Sequence, residues 1–509
     1  MTTVAEIAAQ IPGARWFGDG EVEVRGASCD SREVEPGMLF AALPGERTDG
    51  RLFVGQALER GAAAVLSSEP LEAPVPLIVV SEARAALGEV AAACYGDPTR
   101  ELRLAGVTGT NGKTTVVHLV EAALRSIGAR PGVMGTVEHR FERKSWSARH
   151  TTPEATLIQA VAREMADAGA THLVMEVSSH GLALDRHRGC RFDVVAFTNL
   201  TRDHLDFHAD MEDYAAAKLR LFGEAIADRP QAGIAVNIDD PFAARIIEWA
   251  EHPVLTVSCE RNSAADVRPS GEPRIGIEGV EAEVITPGGE VRIRSRLLGE
   301  HNLSNLLVAL GICLQLGLDP ERAAKGLAAV EAIPGRLERV AVSDDFAVLV
   351  DYAHTPDALE NALDALRPLT AGRLICVFGC GGDRDSAKRP LMGRAVAARA
   401  EIAIVTSDNP RREDPDRIIE MILPGVEKGG LARVEPSELK SAGRGFAVEP
   451  DRSAAIRLAV SAAAPGDTVL IAGKGHEDYQ LLGAETIHFD DRQHAAAALA
   501  ELNEAEARR

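Results

Sequence analysis

Thr108-Gly109-Thr110-Asn111-Gly112-Lys113-Thr114-Thr115 is the stretch on which the reading of this chain turns. It follows the apolar run Leu102 to Val107. It precedes Val116, Leu119, Val120, Ala123, Leu124 and Ile127, which recur at helical spacing. A strand that feeds a glycine-rich turn and opens a helix is a phosphate cradle, because the N–H groups of the loop and helix N-terminus face the anion. Gly109 and Gly112 let the backbone come close. Lys113 reaches the terminal phosphates, and the Thr114 hydroxyl is placed to ligate the magnesium that travels with them. The stretch therefore predicts ATP and Mg2+ binding. A full Walker pattern would have glycine where this chain has Val107. The plain alternative is a tight turn with a surface lysine, and the strand–loop–helix context argues against it.

The rest of the composition bounds the answer. The 509 residues leave room for about three domains. Met1 to Gln10 form no apolar leader, and no stretch approaches the ~18 apolar residues of a membrane span, so a cytoplasmic protein is expected. The net charge of −21 disfavours nucleic acid as a partner, whose phosphates call for a basic face. An anionic small substrate is compatible with it if arginines and lysines concentrate locally. The seven cysteines are scattered, which points to reduced thiols rather than a disulfide framework. Cys376 and Cys380 read as core residues.

Three segments follow from the breaker clusters. The first runs to residue 97, ending in Gly96-Asp97-Pro98. The second, 98–333, alternates strands (Leu173 to Val177, Val194 to Thr198, Gly233 to Asn237) with helices. It then turns β-rich over Ala282 to Leu298. The third, 334–509, begins at Ile333-Pro334-Gly335 and carries the runs Phe346 to Val350, Leu374 to Phe378, Ile402 to Val405 and Thr468 to Ile471. The fold class expected is α/β with three domains: a smaller N-terminal α/β domain, a central mononucleotide-binding parallel sheet and a C-terminal Rossmann-like doubly wound sheet. The Ala-rich end from Gln493 reads as a surface helix. Ligands of such sheets lie beyond the carboxyl ends of the strands. Charged residues and glycines gather there: Glu176-Val177-Ser178-Ser179-His180, Asn199 to Asp206, Asp351 to His354, Gly381 to Asp385, Asp408 to Arg411, and Gly473 to Glu477.

These motifs, with His301-Asn302-Leu303-Ser304-Asn305 and Asp351-Tyr352-Ala353-His354-Thr355-Pro356-Asp357, resemble the Mur ligase family over essentially the whole chain. The resemblance implies an ATP-dependent amide ligase of peptidoglycan precursor synthesis, and through the cell wall a part in cell shape and division. It implies a UDP-sugar-binding domain (1–97), an ATP-binding domain (98–333) and an amino-acid-binding domain (334–509). Within the family, Asp408-Asn409-Pro410-Arg411 resembles the selector for meso-diaminopimelate. A guanidinium suits its distal carboxylate, which lysine lacks. The implied partners are ATP, UDP-MurNAc-L-Ala-D-Glu and meso-diaminopimelate, with no nucleic acid, no membrane span and a monomeric chain.

The same resemblance implies the site residues. ATP falls to Gly109, Thr110, Asn111, Gly112, Lys113, Thr114 and Thr115, with Asn302, Arg336 and Asp351. The metal falls to Thr114, Glu176, His204 and Lys218, and the catalytic set to Lys113, Glu176, His204 and Lys218. In the family the lysine matching Lys218 is carbamylated (N6-carboxylysine). Its helical setting alone, Tyr214 to Phe222, reads as a solvated surface lysine. The sugar nucleotide and dipeptide fall to Ser31, Thr151, Thr152, Ser178 and Arg186, with Glu46, Arg47 and Thr48 in the neighbouring loop. His150 and Leu184 depart from Asn and Gln found in some relatives. Diaminopimelate falls to Arg384, Asp408, Asn409, Pro410, Arg411, Gly473 and Glu477, where Glu477 accepts from the distal ammonium. The competing readings are a lysine-adding Mur ligase, a folylpolyglutamate synthase-like ligase, and a non-catalytic nucleotide-binding scaffold. Arg411 speaks against the first, the long segment before the phosphate loop against the second, and Lys113, Glu176, His204 and Lys218 together against the third.

Overall fold

The computed structural model describes residues 2–45, 48–276, 278–342, 345–483 and 485–507. Glu46 and Arg47 lie outside the described residues. Among the described residues, each segment carries its own largely parallel sheet. In the N-terminal one, Ala27–Ser28, Leu39–Ala42, Ala64–Ser67 and Leu77–Val79 run parallel, and Arg15–Phe17 closes the edge antiparallel. The central sheet has eight strands, with Arg103–Thr108 between His172–Glu176 and Phe192–Phe197. Register decides what this placement does. Glu176 lies opposite Val107, and Phe197 opposite Thr108. The chain therefore leaves all three strands side by side, which puts the phosphate loop, the Ser178 turn and the Thr198 to His204 loop in one crevice.

The helix Lys113–Ser126 buries Val116, Leu119, Val120, Ala123 and Leu124 against Leu303, Leu306 and Leu310 of the helix His301–Gln315. The apolar stripe ends there, since Ile127 is the C-cap and is exposed. The expected β-rich stretch is a hairpin, Gly279–Thr286 with Gly289–Ser295, within a small antiparallel sheet.

In the C-terminal sheet Ala347–Asp351, Thr468–Ala472, Leu374–Phe378, Ile402–Val405 and Gly445–Val448 run parallel in that order. Cys376 and Cys380 are buried in it as free thiols. The Ala-rich C-terminal helix differs from its expected surface role. It starts at Asp491, and Ala495, Ala498 and Leu499 enter the core. Small side chains let it lie close to the sheet. Asp491 forms a wholly buried ion pair with Arg452, 2.7 Å apart. Arg452 also donates to the carbonyls of Ser407 and Ala472, the last residues before two of the polar loops.

The first two segments meet backbone to backbone. A Cβ at Gly88, in the helix Ala83–Cys94, would stand 2.0 Å from the Arg188 carbonyl oxygen, and one at Gly189 would stand 2.2 Å from that of Gly88. Arg84 of the first and Arg186 of the second both pair with Glu154.

Removing one member of a buried ion pair costs about 3–5 kcal/mol, whereas replacing both by apolar groups is often neutral. Arg452→Met should lower the earliest unfolding transition seen by circular dichroism, and Arg452→Met with Asp491→Leu should restore most of it. An unchanged transition in the single variant would contradict this assignment of the pair.

Candidate active site

The phosphate loop is built by two left-handed glycines, Gly109 (φ +152°) and Gly112 (φ +87°). Neither admits a side chain: a Cβ at Gly109 would meet Thr198 Oγ1 at 1.8 Å, and one at Gly112 would meet Asn305 Oδ1 at 2.2 Å. Asn305 in turn donates to Asn302. Asn302 thus stands behind the loop through Asn305. Lys113 Nζ folds back onto the carbonyls of Gly109 and Thr110, at 2.8 and 2.9 Å. Withdrawal from water holds its ammonium below the usual lysine range, against the pull of Glu176 and Asp203.

Glu176, 1% exposed, accepts from the Thr114 hydroxyl at 3.0 and 3.1 Å and from the N–H and hydroxyl of Thr136 at 2.8 and 2.9 Å. A hydroxyl and a carboxylate facing each other beside a phosphate cradle are the hard oxygen donors that Mg2+ takes, so Thr114 and Glu176 fit it.

Lys218 is the main correction to the residue-level reading. It is 1% exposed rather than solvated. Nζ donates to Gly109 O at 2.9 Å and lies 4.4 Å over the Tyr214 ring, whose hydroxyl meets Thr110 Oγ1. Burial, and next the charge of Lys113, push its ammonium far below the usual lysine range. His204 takes a left-handed backbone (φ +56°) and sits 3.4 Å from Asp203. Its ring meets His180 edge-on at 4.7 Å. Desolvation keeps the imidazole neutral at pH 7 although Asp203 pulls the other way.

The C-terminal segment reaches into this crevice. Arg336 donates to Thr114 Oγ1 at 3.2 Å and lies over the Tyr352 ring. Asp351 holds that turn, accepting from the N–H groups of Leu337 and Ala353, both at 2.7 Å. Asp357 accepts from Asn111 Nδ2 at 2.8 Å. On the other side, Thr152 bonds Ser178 and the Glu176 carbonyl, Arg186 donates to the Thr152 carbonyl, and Thr151 meets Thr136. Ser31 stands apart in the N-terminal segment, bonded to Gln56.

The remaining polar loops form a second cluster. Asn409 Nδ2 donates to Glu477 Oε2 at 2.8 Å. Gly473 (φ +119°) brings the backbone against Asp408, where a Cβ would lie 2.4 Å from Oδ2. Arg411, itself left-handed (φ +54°), donates to the Gly382 carbonyl, and Gly382 packs on the Pro410 carbonyl. Arg384 points the other way, 3.7 Å from Asp206 of the central segment. Beneath these loops Arg389, 1% exposed, forms a forked pair with Glu413. Sequence reasoning passed over Asn305, Asp357, Arg389 and Lys474. All but Arg389 lie within motifs already quoted, which was the available signal.

Three family descriptions match the chain: "Mur ligase family, catalytic domain" over residues 23–95, "Mur ligase middle domain" over 107–313 and "Mur ligase, glutamate ligase domain" over 335–475. Two curated relatives are both named UDP-N-acetylmuramoyl-L-alanyl-D-glutamate–2,6-diaminopimelate ligase. The one from Geobacter metallireducens is 46% identical over 95% of each chain, and the one from Gloeobacter violaceus is 48% identical over 94% of each. A solved structure described by the same enzyme name is 34% identical, with a TM-score of 0.68 over 99% of this chain and 100% of that one. The chain belongs to the Mur ligase family.

Gly112→Ala forces a Cβ onto Asn305 and a strained φ, so ADP affinity measured calorimetrically should fall at least about tenfold. Unchanged affinity would mean that the loop does not cradle the phosphates as drawn.

Proposed function

We propose that this chain catalyses the ATP-dependent addition of meso-diaminopimelate to the D-glutamate side-chain carboxylate of UDP-MurNAc-L-Ala-D-Glu, a step of peptidoglycan precursor synthesis. The near-full-length relatives of that name support it. The observation that carries it is that the C-terminal segment meets the central one on both sides: Arg336 and Asp357 bond Thr114 and Asn111 of the phosphate loop, and Arg384, from the loops of the second cluster, lies 3.7 Å from Asp206, which supports an amine held by the one segment reaching an acyl phosphate held by the other.

In this reading residues 1–97 bind the UDP sugar, 98–333 bind ATP and 334–509 bind the amino acid, in a cytoplasmic monomer. Among the described residues no helix is long and apolar enough to cross a membrane. The substrate carboxylate attacks the γ-phosphorus of ATP, and ADP leaves. The amine attacks the acyl phosphate, loses a proton, and inorganic phosphate departs. Mg2+, where bound, neutralises charge on the transferring phosphoryl group. Lys113 grips the β- and γ-oxygens once they displace the loop carbonyls from its ammonium. Arg336 closes over the phosphates and excludes water. Thr151, Thr152, Ser178 and Arg186 hold the muramoyl dipeptide, and Ser31 the nucleotide end. Arg411 takes the distal carboxylate of diaminopimelate and Glu477 its distal ammonium, with Asp408 lining the same pocket, which leaves the other nitrogen free to attack as the amine.

Lys218 is assigned a carbamate. Burial disfavours the ammonium, and the free amine is nucleophilic toward CO2: a C–N bond forms, one proton leaves the nitrogen, and the neutral amine becomes a two-oxygen anion beside the phosphate loop. Lys218→Ala should lose activity by orders of magnitude and regain part of it with acetate or formate. A fully active Lys218→Ala sinks the assignment.

The selector is tested by phosphate release over a panel of amino acids. Diaminopimelate should support turnover and lysine should not. Arg411→Ala should cut kcat/KM for diaminopimelate roughly 10²-fold or more while leaving lysine nearly unchanged. Equal use of both amino acids by the unaltered protein would favour the lysine-adding reading, and ATP binding without turnover the scaffold.

A further inference from the structure

Beneath the amino-acid cluster lies a cation that the proposed chemistry does not use. Lys474 is 0% exposed, with Nζ 3.1 Å from Glu477 Oε2 and 3.4 Å from Asn409 Oδ1. The same Glu477 oxygen accepts from Asn409 Nδ2. Asn409 Oδ1 also accepts from the Leu481 N–H, which fixes the amide's orientation. Lys474 fits there because its neighbours lack side chains: a Cβ at Gly475 would stand 2.7 Å from that of Tyr352, as one at Gly473 would crowd Asp408. A lysine is almost never fully buried unless paired, and here its partner is the carboxylate proposed to receive the substrate.

The electrostatics show what the pairing opposes. Burial raises the proton affinity of Glu477, the nearby Asp408 raises it further, and Lys474 and Asn409 lower it. The charged and titratable groups facing this carboxylate are Asp408, Lys474, Tyr352, Tyr479 and Arg452. Of these, Lys474 touches it as a cation. Arg452 is engaged with Asp491.

We infer that Lys474 is a positioning residue for the amino-acid substrate, fixing the Glu477 carboxylate with Asn409 in the orientation and charge that the substrate's distal ammonium requires. This rests on the reading that Asp408 to Arg411 and Glu477 hold that substrate. Lys474 stays beneath the floor and Glu477 makes the contact. The sign of the pH dependence follows. Glu477 must be ionised to hold an ammonium, so KM for diaminopimelate rises as pH falls through its pKa. Without Lys474 that pKa climbs, and the rise moves to higher pH.

The test uses full-length protein and compares KM for diaminopimelate and for ATP across about pH 6 to 9 in the unaltered chain, Lys474→Met and Lys474→Arg. The methionine variant should raise KM for diaminopimelate about tenfold, move its acidic limb up by about one pH unit and keep KM for ATP within about twofold. The arginine variant should restore the limb. If the methionine variant is not recovered folded, Lys474→Gln takes its place. An unmoved acidic limb, or equal changes in both KM values, overturns the inference alone. Failure of the unaltered chain to use diaminopimelate overturns it together with the functional reading beneath it.

Discussion

One buried carboxylate organises the crevice. Glu176 ends a central strand with almost no contact with water, a position that a charged group holds only with hydrogen-bond partners. Those partners come from separate parts of the chain: Thr114 opens the helix after the phosphate loop, and Thr136 follows the strand Pro131–Met134. Thr136 carries the network to Thr151, and the Glu176 carbonyl carries it to Thr152. Gly135 is required beside it, since a Cβ there would lie 2.4 Å from Glu176 Oε1. The loops proposed for ATP and for the muramoyl dipeptide are therefore tied to one another through a single residue, by its carboxylate and its carbonyl.

Beside that anion the crevice gathers basic side chains on the phosphate loop. Lys113 and Lys218 share the Gly109 carbonyl, and Arg336 reaches Thr114 from the third segment. The protein carries a net charge of −21, yet the field in the crevice is set by the groups lining it. Two ammonium groups on one carbonyl repel, and that repulsion adds to burial in pushing the Lys218 ammonium down. Carbamylation would turn that repulsion into attraction, a local electrostatic reason for this lysine to be the one assigned the modification.

Local signals read well and distant ones did not. The glycines at 109 and 112 and the apolar run before them announced the loop, because its chemistry is contained in eight consecutive residues. Strand ends were readable as apolar runs that stop at small polar residues, Thr108 and Ser178, within one or two positions of where Arg103–Thr108 and His172–Glu176 begin and end. Lys218 was not readable as buried, because the alanines before it give its helix no marked apolar face and its partner lies 109 residues away. Lys474 failed for the same reason: Asn409 comes 65 residues earlier, and only the folded sheet brings the two loops together. The C-terminal helix looked peripheral because alanines carry little hydrophobic weight, although their smallness is what lets it sit against the sheet.

The contact of Gly88 with Gly189 has a consequence of scale. Two backbones that touch without side chains between them leave no layer to slide or compress. The span from Ser31 to Thr151 and Thr152 then behaves as a ruler cut to one length. Under the proposed function, where Ser31 holds the nucleotide end and Thr151 and Thr152 the dipeptide, the length of the sugar nucleotide becomes a recognition element in its own right, measured by main chain.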